Sequence, residues 1–373
     1  MPTQPDETGP DPQRVNTNQI LNSRHQLLEK RGAGRYSTVW LARDQKESSY
    51  VAIKILTSGC YGSDHDIFEL EILRHLRQAN PNHPGHRHIP ILLDDFTHED
   101  PDGHHVCLVL EPMAEDLNSF SFFFEGVKIP SQIMKRITRQ LLLALDYAHT
   151  AGVIHTDIKP DNIMIRLRDP SVIEKYLSPP RSLSLGEENF NDRSEFIQVQ
   201  VVLGDWGSAS WVYRHLTDWI QPTLLRAPEV MLGAEWGTGV DIWNLGALLP
   251  ELLDAIRLFN GRAERGRGGY MMKHHLEEIE ALFGVPPTWL LEKGDQEIEI
   301  VWRYFDEGGR IRDPVERPLK LGMWVEVIDG AEKAEYLDLL RGVLMIDPVR
   351  RRSARELLGM AWLAGEGIAS DDL

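Results

Sequence analysis

The run His155-Thr156-Asp157-Ile158-Lys159-Pro160-Asp161-Asn162 leads directly into Ile163-Met164-Ile165. An apolar, β-branched stretch reads as a buried strand, so a loop dense in ionisable and amide groups is pinned against the core. Held there, Asp157 can accept or align a hydroxyl proton, Lys159 can steady the charge on a transferring phosphoryl group, and Asn162 can offer its amide oxygen to Mg²⁺. In an isolated loop Asp and Asn are ordinary turn formers, so the junction has weight only if the rest of the chain supplies matching parts. Asp205-Trp206-Gly207, after the largely apolar run Val199 to Leu203, provides a second hard oxygen ligand for a metal, although Asp-x-Gly alone is usually only a turn.

Gly32-Ala33-Gly34-Arg35-Tyr36-Ser37-Thr38-Val39 opens as G-x-G, a pattern whose default meaning is a structural turn. A dinucleotide-binding version needs a helix next, whereas Thr38, Val39 and Trp40 continue as a strand, which points to a loop folded over nucleotide phosphates. The third small position is Ser37, which still lets backbone come close but lacks the freedom of glycine. Val51-Ala52-Ile53-Lys54 then sets a lysine inside an apolar strand, where an unpaired ammonium is costly or loses its proton. An anion is required. Glu71, off the apolar stripe of the following helix, is the expected partner, with Glu69 as the alternative. Singly, Lys54 reads as a snorkelling surface lysine and Glu71 as a solvated helix face.

The remaining sequence frames these parts. The 373 residues, 42% hydrophobic and 26% charged, suit a folded chain with a sizeable core. Fifty-seven acidic against forty basic side chains give a net charge of −17, which argues against broad nucleic-acid or anionic-membrane binding and favours a basic partner. Two cysteines, Cys60 and Cys107, make no disulfide framework, so a cytoplasmic or nuclear setting is expected. The start lacks the basic and apolar regions of a signal peptide, and no apolar stretch is long enough to span a membrane. Residues 1–20, with Pro2, Pro5, Pro10 and Pro12, read as a mobile tail. Strands are expected over 37–41 and 51–56, an antiparallel hairpin with its turn over 44–49, and over 89–96 and 106–111, and helices over 66–77, from a cap at Ser131 to Gly152, and over 239–254, 272–283 and 335–344. Strands early and helices late predict an α+β, bilobal architecture, a small β-rich lobe beside a larger helical one. The Pro- and Ser-bearing stretch 168–197 reads as a surface insertion.

In this order the motifs match the signature set of protein kinases, and the chain resembles that family from about residue 26 to 365. Tyr36-Ser37-Thr38-Val39-Trp40-Leu41, His155-Thr156-Asp157-Ile158-Lys159-Pro160 and the insertion after the loop resemble the SR protein kinases, which phosphorylate serines in arginine-serine-rich splicing factors. The resemblance implies an N-lobe over 21–113, a C-lobe over 114–366 and a short tail over 367–373. It implies a non-specific serine/threonine protein kinase using ATP and Mg²⁺, with Asp157, Lys159, Lys54 and Glu71 as catalytic residues and Asn162 and Asp205 on the metal. Arg31, the run Gly32 to Val39, Ala52, Lys54, Glu111 and Met113 would hold the nucleotide. The expected partner is a basic, Arg/Ser-rich protein substrate, met by a monomer with no direct contact to nucleic acid or membrane.

Thr156 stands where most kinases carry an arginine that receives a phosphorylated segment, so Asp205 to Glu229 should order without such a modification. Trp206, Leu225 and Pro228 depart from the usual family pattern, and Pro222 stands where many serine/threonine kinases keep a threonine near the catalytic Asp and Lys. Glu229 of Ala227-Pro228-Glu229, if buried, needs a cation, for which Arg351 is chosen. Asp241 is expected to hold the catalytic loop through backbone N–H groups, or to cap a helix. Glu277, Glu278 and Glu280 offer a local negative surface for an arginine-rich peptide, or a plain solvated helix face. Two further readings stand beside the active kinase: a catalytically silent kinase-like scaffold, and a kinase with another peptide preference, proline-directed for example.

Overall fold

The computed structural model describes residues 15–62, 66–179, 184–262, 268–294, 303–315 and 320–364. Of the two expected tails, 367–373 and most of 1–20 lie outside these residues. Residues 15–20 are not tail-like: Val15 is buried in the sheet core, and Asn18 donates its backbone N–H to the Leu27 carbonyl at 2.7 Å.

Six antiparallel strands form the first layer: β1 (Ile20–Leu21), β2 (His25–Ala33), β3 (Ser37–Asp44), β4 (Ser49–Leu56), β5 (Leu92–Asp100) and β6 (Gly103–Leu110), in the order β1-β2-β3-β4-β6-β5. The expected hairpin forms, with β3 running on to Asp44, whose carboxylate accepts the N–H groups of Lys46 and Glu47 in the turn to β4. Alternation in β4 sorts its side chains. Val51, Ile53 and Ile55 enter a small core with Leu27, Ala42 and Val109, so Lys54 faces the opposite side, where helix α1 (Glu69–Gln78) packs through Ile72, Leu73 and Leu76.

After β7 (Met113–Asp116) and α2 (Leu117–Ser121) the chain turns helical. Helix α3 (Ser131–Thr150) buries Ile137, Leu141 and Leu145, and it begins without a side-chain cap. The Ser131 hydroxyl instead donates to Glu332 at 2.8 Å. Gly152, at φ +78°, ends the turn beyond this helix, a conformation that suits glycine. Strand β8 (Val153–Ile154) leads into the loop 155–162, the candidate catalytic loop, and β9 (Ile163–Arg166) leads out of it to pair with β7 and with β10 (Val201–Leu203). Strand β11 (Ser210–Trp211) pairs with β8.

The insertion between β9 and β10 is built around α4 (Ser171–Leu177) and α5 (Leu185–Asn189). It is anchored by Phe190 and Phe196, whose rings lie 5.0 Å apart and also meet Phe120. Below, α6 (Pro228–Met231) precedes α7 (Gly239–Asp254), which is buried nearly all round, and α8 (Met272–Phe283) follows. The sheet above and helices below give the expected bilobal α+β fold, with the cleft between β4 and the β7-β9-β10 sheet.

Candidate active site

Lys54 is 7% exposed. Its Nζ lies 2.6 Å from Glu69 Oε1 and 2.7 Å from Asp205 Oδ1. Burial alone would lower its pKa, but the two carboxylates outweigh burial and hold it above the ordinary lysine range. Asp205 is lowered to about 2, chiefly by the Lys54 charge. Glu69 goes the other way, raised by burial and then by Asp205 despite Lys54. Asp205 adopts φ +54°, a left-handed conformation that Asp tolerates better than most residues. Gly207 keeps this cluster compact: a Cβ there would stand 3.3 Å from both Asp205 Oδ1 and Glu69 Oε2.

The expected partner Glu71 is not at this site. It is exposed and accepts a 3.4 Å hydrogen bond from the Tyr61 hydroxyl. The reason is helical spacing: Glu69 shares its face with Ile72, Leu73 and Leu76, at i+3, i+4 and i+7. The partner of a buried lysine therefore belongs on the apolar stripe rather than off it.

Across the cleft the catalytic loop is held by its own polar atoms. Lys159 Nζ donates to Asp157 Oδ2 at 2.8 Å. Asn162 Nδ2 donates to the Asp157 carbonyl at 2.8 Å and to Oδ2 at 2.9 Å. Neither acceptor can donate in return, so the network sets the amide and leaves Asn162 Oδ1 for a cation. Burial lowers Lys159 and Asp157 raises it, with a net upward shift.

Beneath the loop, Asp241 accepts the His155 and Thr156 N–H groups, both at 2.8 Å, and bonds His149 at 2.9 Å. Thr156 sits at φ +70°, unusual for a β-branched residue, and its hydroxyl donates to the Ser208 carbonyl at 2.8 Å. That bond joins the catalytic loop directly to the segment after Asp205. His155 Nε2 donates to the Gly204 carbonyl at 2.8 Å, and its ring meets the edge of buried Trp206 with centroids 4.7 Å apart. Arg351 grips Glu229 with two bonds of 2.6 and 2.9 Å, both side chains fully buried.

Near the substrate side, Gln221 adopts φ +70°. Its carbonyl and that of Ile220 accept from Arg226 at 2.9 and 2.8 Å. Pro222 follows and brings no hydroxyl. Glu277 and Glu278 do not form a surface. They are 4% and 1% exposed, and Glu278 accepts the N–H groups of Asn260 and Gly261 while Glu280 accepts that of Ile311.

A cleft of about 560 Å³ lies between the lobes. Of the residues expected at the nucleotide, Arg31, Gly32, Ala33, Gly34, Ser37, Val39, Ala52, Lys54, Glu111 and Met113 line it, whereas Arg35, Tyr36 and Thr38 do not. Tyr36 is 57% exposed under the Arg35 guanidinium, and Thr38 is buried in the β3 ladder. The sequence reading passed over Glu115, Asp116 and Asp161 at the cleft, and Leu185 from the insertion. The position of Asp161 in the catalytic loop was the available signal for one of them. Mg²⁺ takes one or two carboxylates and completes its shell with phosphate and water. Asn162 and Asp205 fit that sparse demand, and among the described residues no cluster of three or more His, Cys, Asp or Glu could hold a metal.

Among the described residues no helix is long and apolar enough to cross a membrane. Residues 25–363 match the family described as the protein kinase domain. A serine/threonine protein kinase of Aspergillus fumigatus is 34% identical over 360 residues, covering 94% of this chain and 87% of its own. Serine/threonine-protein kinase SRPK of Physarum polycephalum is 28% identical, covering 94% and 88%, and protein kinase dsk1 of Schizosaccharomyces pombe is 27% identical, covering 91% and 80%. With the cleft and these relatives agreeing, the chain belongs to the protein kinase family as a serine/threonine kinase similar to the SR protein kinases.

Proposed function

We propose that this cleft moves the γ-phosphoryl group of ATP to a serine or threonine hydroxyl of a basic, Arg/Ser-rich protein, with Asn162 and Asp205 holding Mg²⁺. The observation that carries the reading is Lys54, fixed between Glu69 and Asp205 on one wall while Asp157, Lys159 and Asn162 are tied together on the other. Mg-ATP, when bound, supplies the transferable phosphoryl group and the charge that offsets its oxygens. Lys54 orients phosphate oxygens, Asp157 aligns the attacking hydroxyl and takes its proton, and Lys159 neutralises charge that develops during transfer. The Asp241 bonds to the loop backbone keep Asp157 in place.

Support for a basic substrate comes from Glu115, Asp116 and Asp161 at the cleft and from the net charge of −17. The same reading places a monomer in the cytoplasm or nucleus, its lobes divided near Met113. A catalytically silent scaffold has one observation in its favour, the missing hydroxyl at Pro222. The deciding assay follows phosphate transfer from Mg-ATP to an Arg-Ser repeat peptide, a Ser-Pro peptide and an acidic peptide, with wild type and Asp157→Ala. Transfer to the first, reduced by roughly 10²-fold or more in the variant, is expected. Transfer only to another peptide would overturn the substrate class, and none to these or to mixed cellular protein would favour the scaffold.

A further inference from the structure

The insertion reaches back to the upper lobe. Tyr176 of α4, 6% exposed, donates its hydroxyl to Glu29 Oε1 at 2.7 Å and accepts from Arg31 Nη1 at 3.2 Å. Glu29 and Arg31 end the part of β2 that runs into Gly32. Arg31 also lies with its guanidinium carbon 5.5 Å from the Tyr176 ring centre and donates to the Ala114 carbonyl at 3.4 Å. One hydroxyl thus joins the approach to the glycine-rich turn to a helix of the lower lobe.

The strut has a firm base. Asn189 accepts the Arg168 N–H at 2.9 Å and donates to the Arg166 carbonyl at 3.1 Å, clasping the insertion to the end of β9. Gly186 donates to Glu115 at 3.3 Å, an approach so close that a Cβ would meet the Glu115 side chain at 2.9 Å. This seats Leu185, 1% exposed, in the wall of the cleft beside Glu115 and Ser119. Glu115 lies on β7, two residues after Met113.

We propose that the insertion is a working part of the nucleotide site: Leu185 walls the end of the cleft beside Met113 and Glu115, and Tyr176 ties the glycine-rich turn to the lower lobe and so limits how far the cleft opens. The inference rests on the nucleotide-binding reading of the cleft. Leu185 contacts the nucleoside end. Tyr176 is a positioning residue, acting on the phosphates through Glu29, Arg31 and the turn that follows.

The two roles separate by ligand. Calorimetry on the full chain would measure Mg-ATP and adenosine binding to wild type, Tyr176→Phe and Leu185→Ala. Tyr176→Phe keeps the ring and loses only the hydroxyl, so it should weaken Mg-ATP by roughly three- to tenfold and adenosine by less than about twofold. Hydrogen exchange at residues 32–39 should also quicken. Leu185→Ala should weaken both ligands by similar factors, on the order of fivefold. Unchanged binding and exchange in Tyr176→Phe would overturn the strut, even if Leu185→Ala fails to fold. Equal weakening of both ligands by Tyr176→Phe would mark a merely structural role and overturn it too. Failure of wild type to bind Mg-ATP would instead fall on the cleft reading and remove the basis of this one.

Discussion

The Lys54 ammonium and the Glu69 carboxylate meet at 2.6 Å with only 9% and 2% of their side chains exposed. Removing one member of such a pair leaves the other charge buried without its main partner, at a cost of about 3–5 kcal/mol. Glu69→Gln keeps the shape and removes the charge. It is expected to lower kcat/KM by at least about tenfold and to reduce stability in urea unfolding. Glu71→Gln, at the exposed position two residues on, should stay within about 0.5 kcal/mol of wild type. Equal effects from the two variants would contradict this assignment.

The placement of Glu69 also marks what could be read from sequence. Asp157, Lys159 and Asn162 were legible because they sit within one loop whose strand follows at once, and local order fixes their neighbourhood. The choice between Glu69 and Glu71 turned on which helix face meets β4, and only Ile72, Leu73 and Leu76 together define that face. Glu277 and Glu278 carry the same ambiguity of helix face. Glu278 is buried against backbone N–H donors brought from another loop, whereas Glu277 pairs with Lys273 and His274 on its own helix. The contribution of Tyr176 and Leu185 had no local signal at all, since Tyr176 meets Glu29 across 147 residues of chain.

His88 predicts a pH dependence. Burial pushes its pKa down to about 4, although its bond to the Val201 carbonyl, at 2.8 Å, partly opposes the shift. The unfolded chain therefore takes up a proton near the ordinary histidine pKa while the folded chain resists. Stability from this group is full above about pH 6.5 and declines as pH falls toward the folded value. His88→Gln retains a donor for Val201 and cannot titrate. Between pH 7.5 and 5.0 it should lose about 2 kcal/mol less stability than wild type in urea melts. Parallel losses would show that His88 does not contribute to the acid slope.

Arg351 and Glu229 make a second buried pair, joined by two hydrogen bonds with a third from Arg351 to the Gly239 carbonyl at 2.7 Å. Arg351→Met fills similar volume but leaves the Glu229 carboxylate without its cation. A loss of about 3–5 kcal/mol in thermal or urea unfolding is expected. The double variant Arg351→Met with Glu229→Leu should recover part of that loss, because no charge then remains buried. A double variant no more stable than the single one would place the cost in packing rather than charge.

Pro222 offers a gain rather than a loss. Its backbone, at φ −58° and ψ 138°, is one that threonine adopts without strain, and the family resemblance would put a threonine there, near the proposed catalytic pair Asp157 and Lys159. Lys159 and Asp157 bond one another at 2.8 Å, and each retains capacity for a further partner. Pro222→Thr is therefore expected to raise kcat by roughly fivefold, the equivalent of one hydrogen bond worth about 1 kcal/mol. Pro222→Val has the shape of threonine without its hydroxyl and controls for the lost ring. Equal rates in Thr and Val variants would mean that Lys159 and Asn162 suffice to hold Asp157, and that Pro222 takes nothing from the reaction.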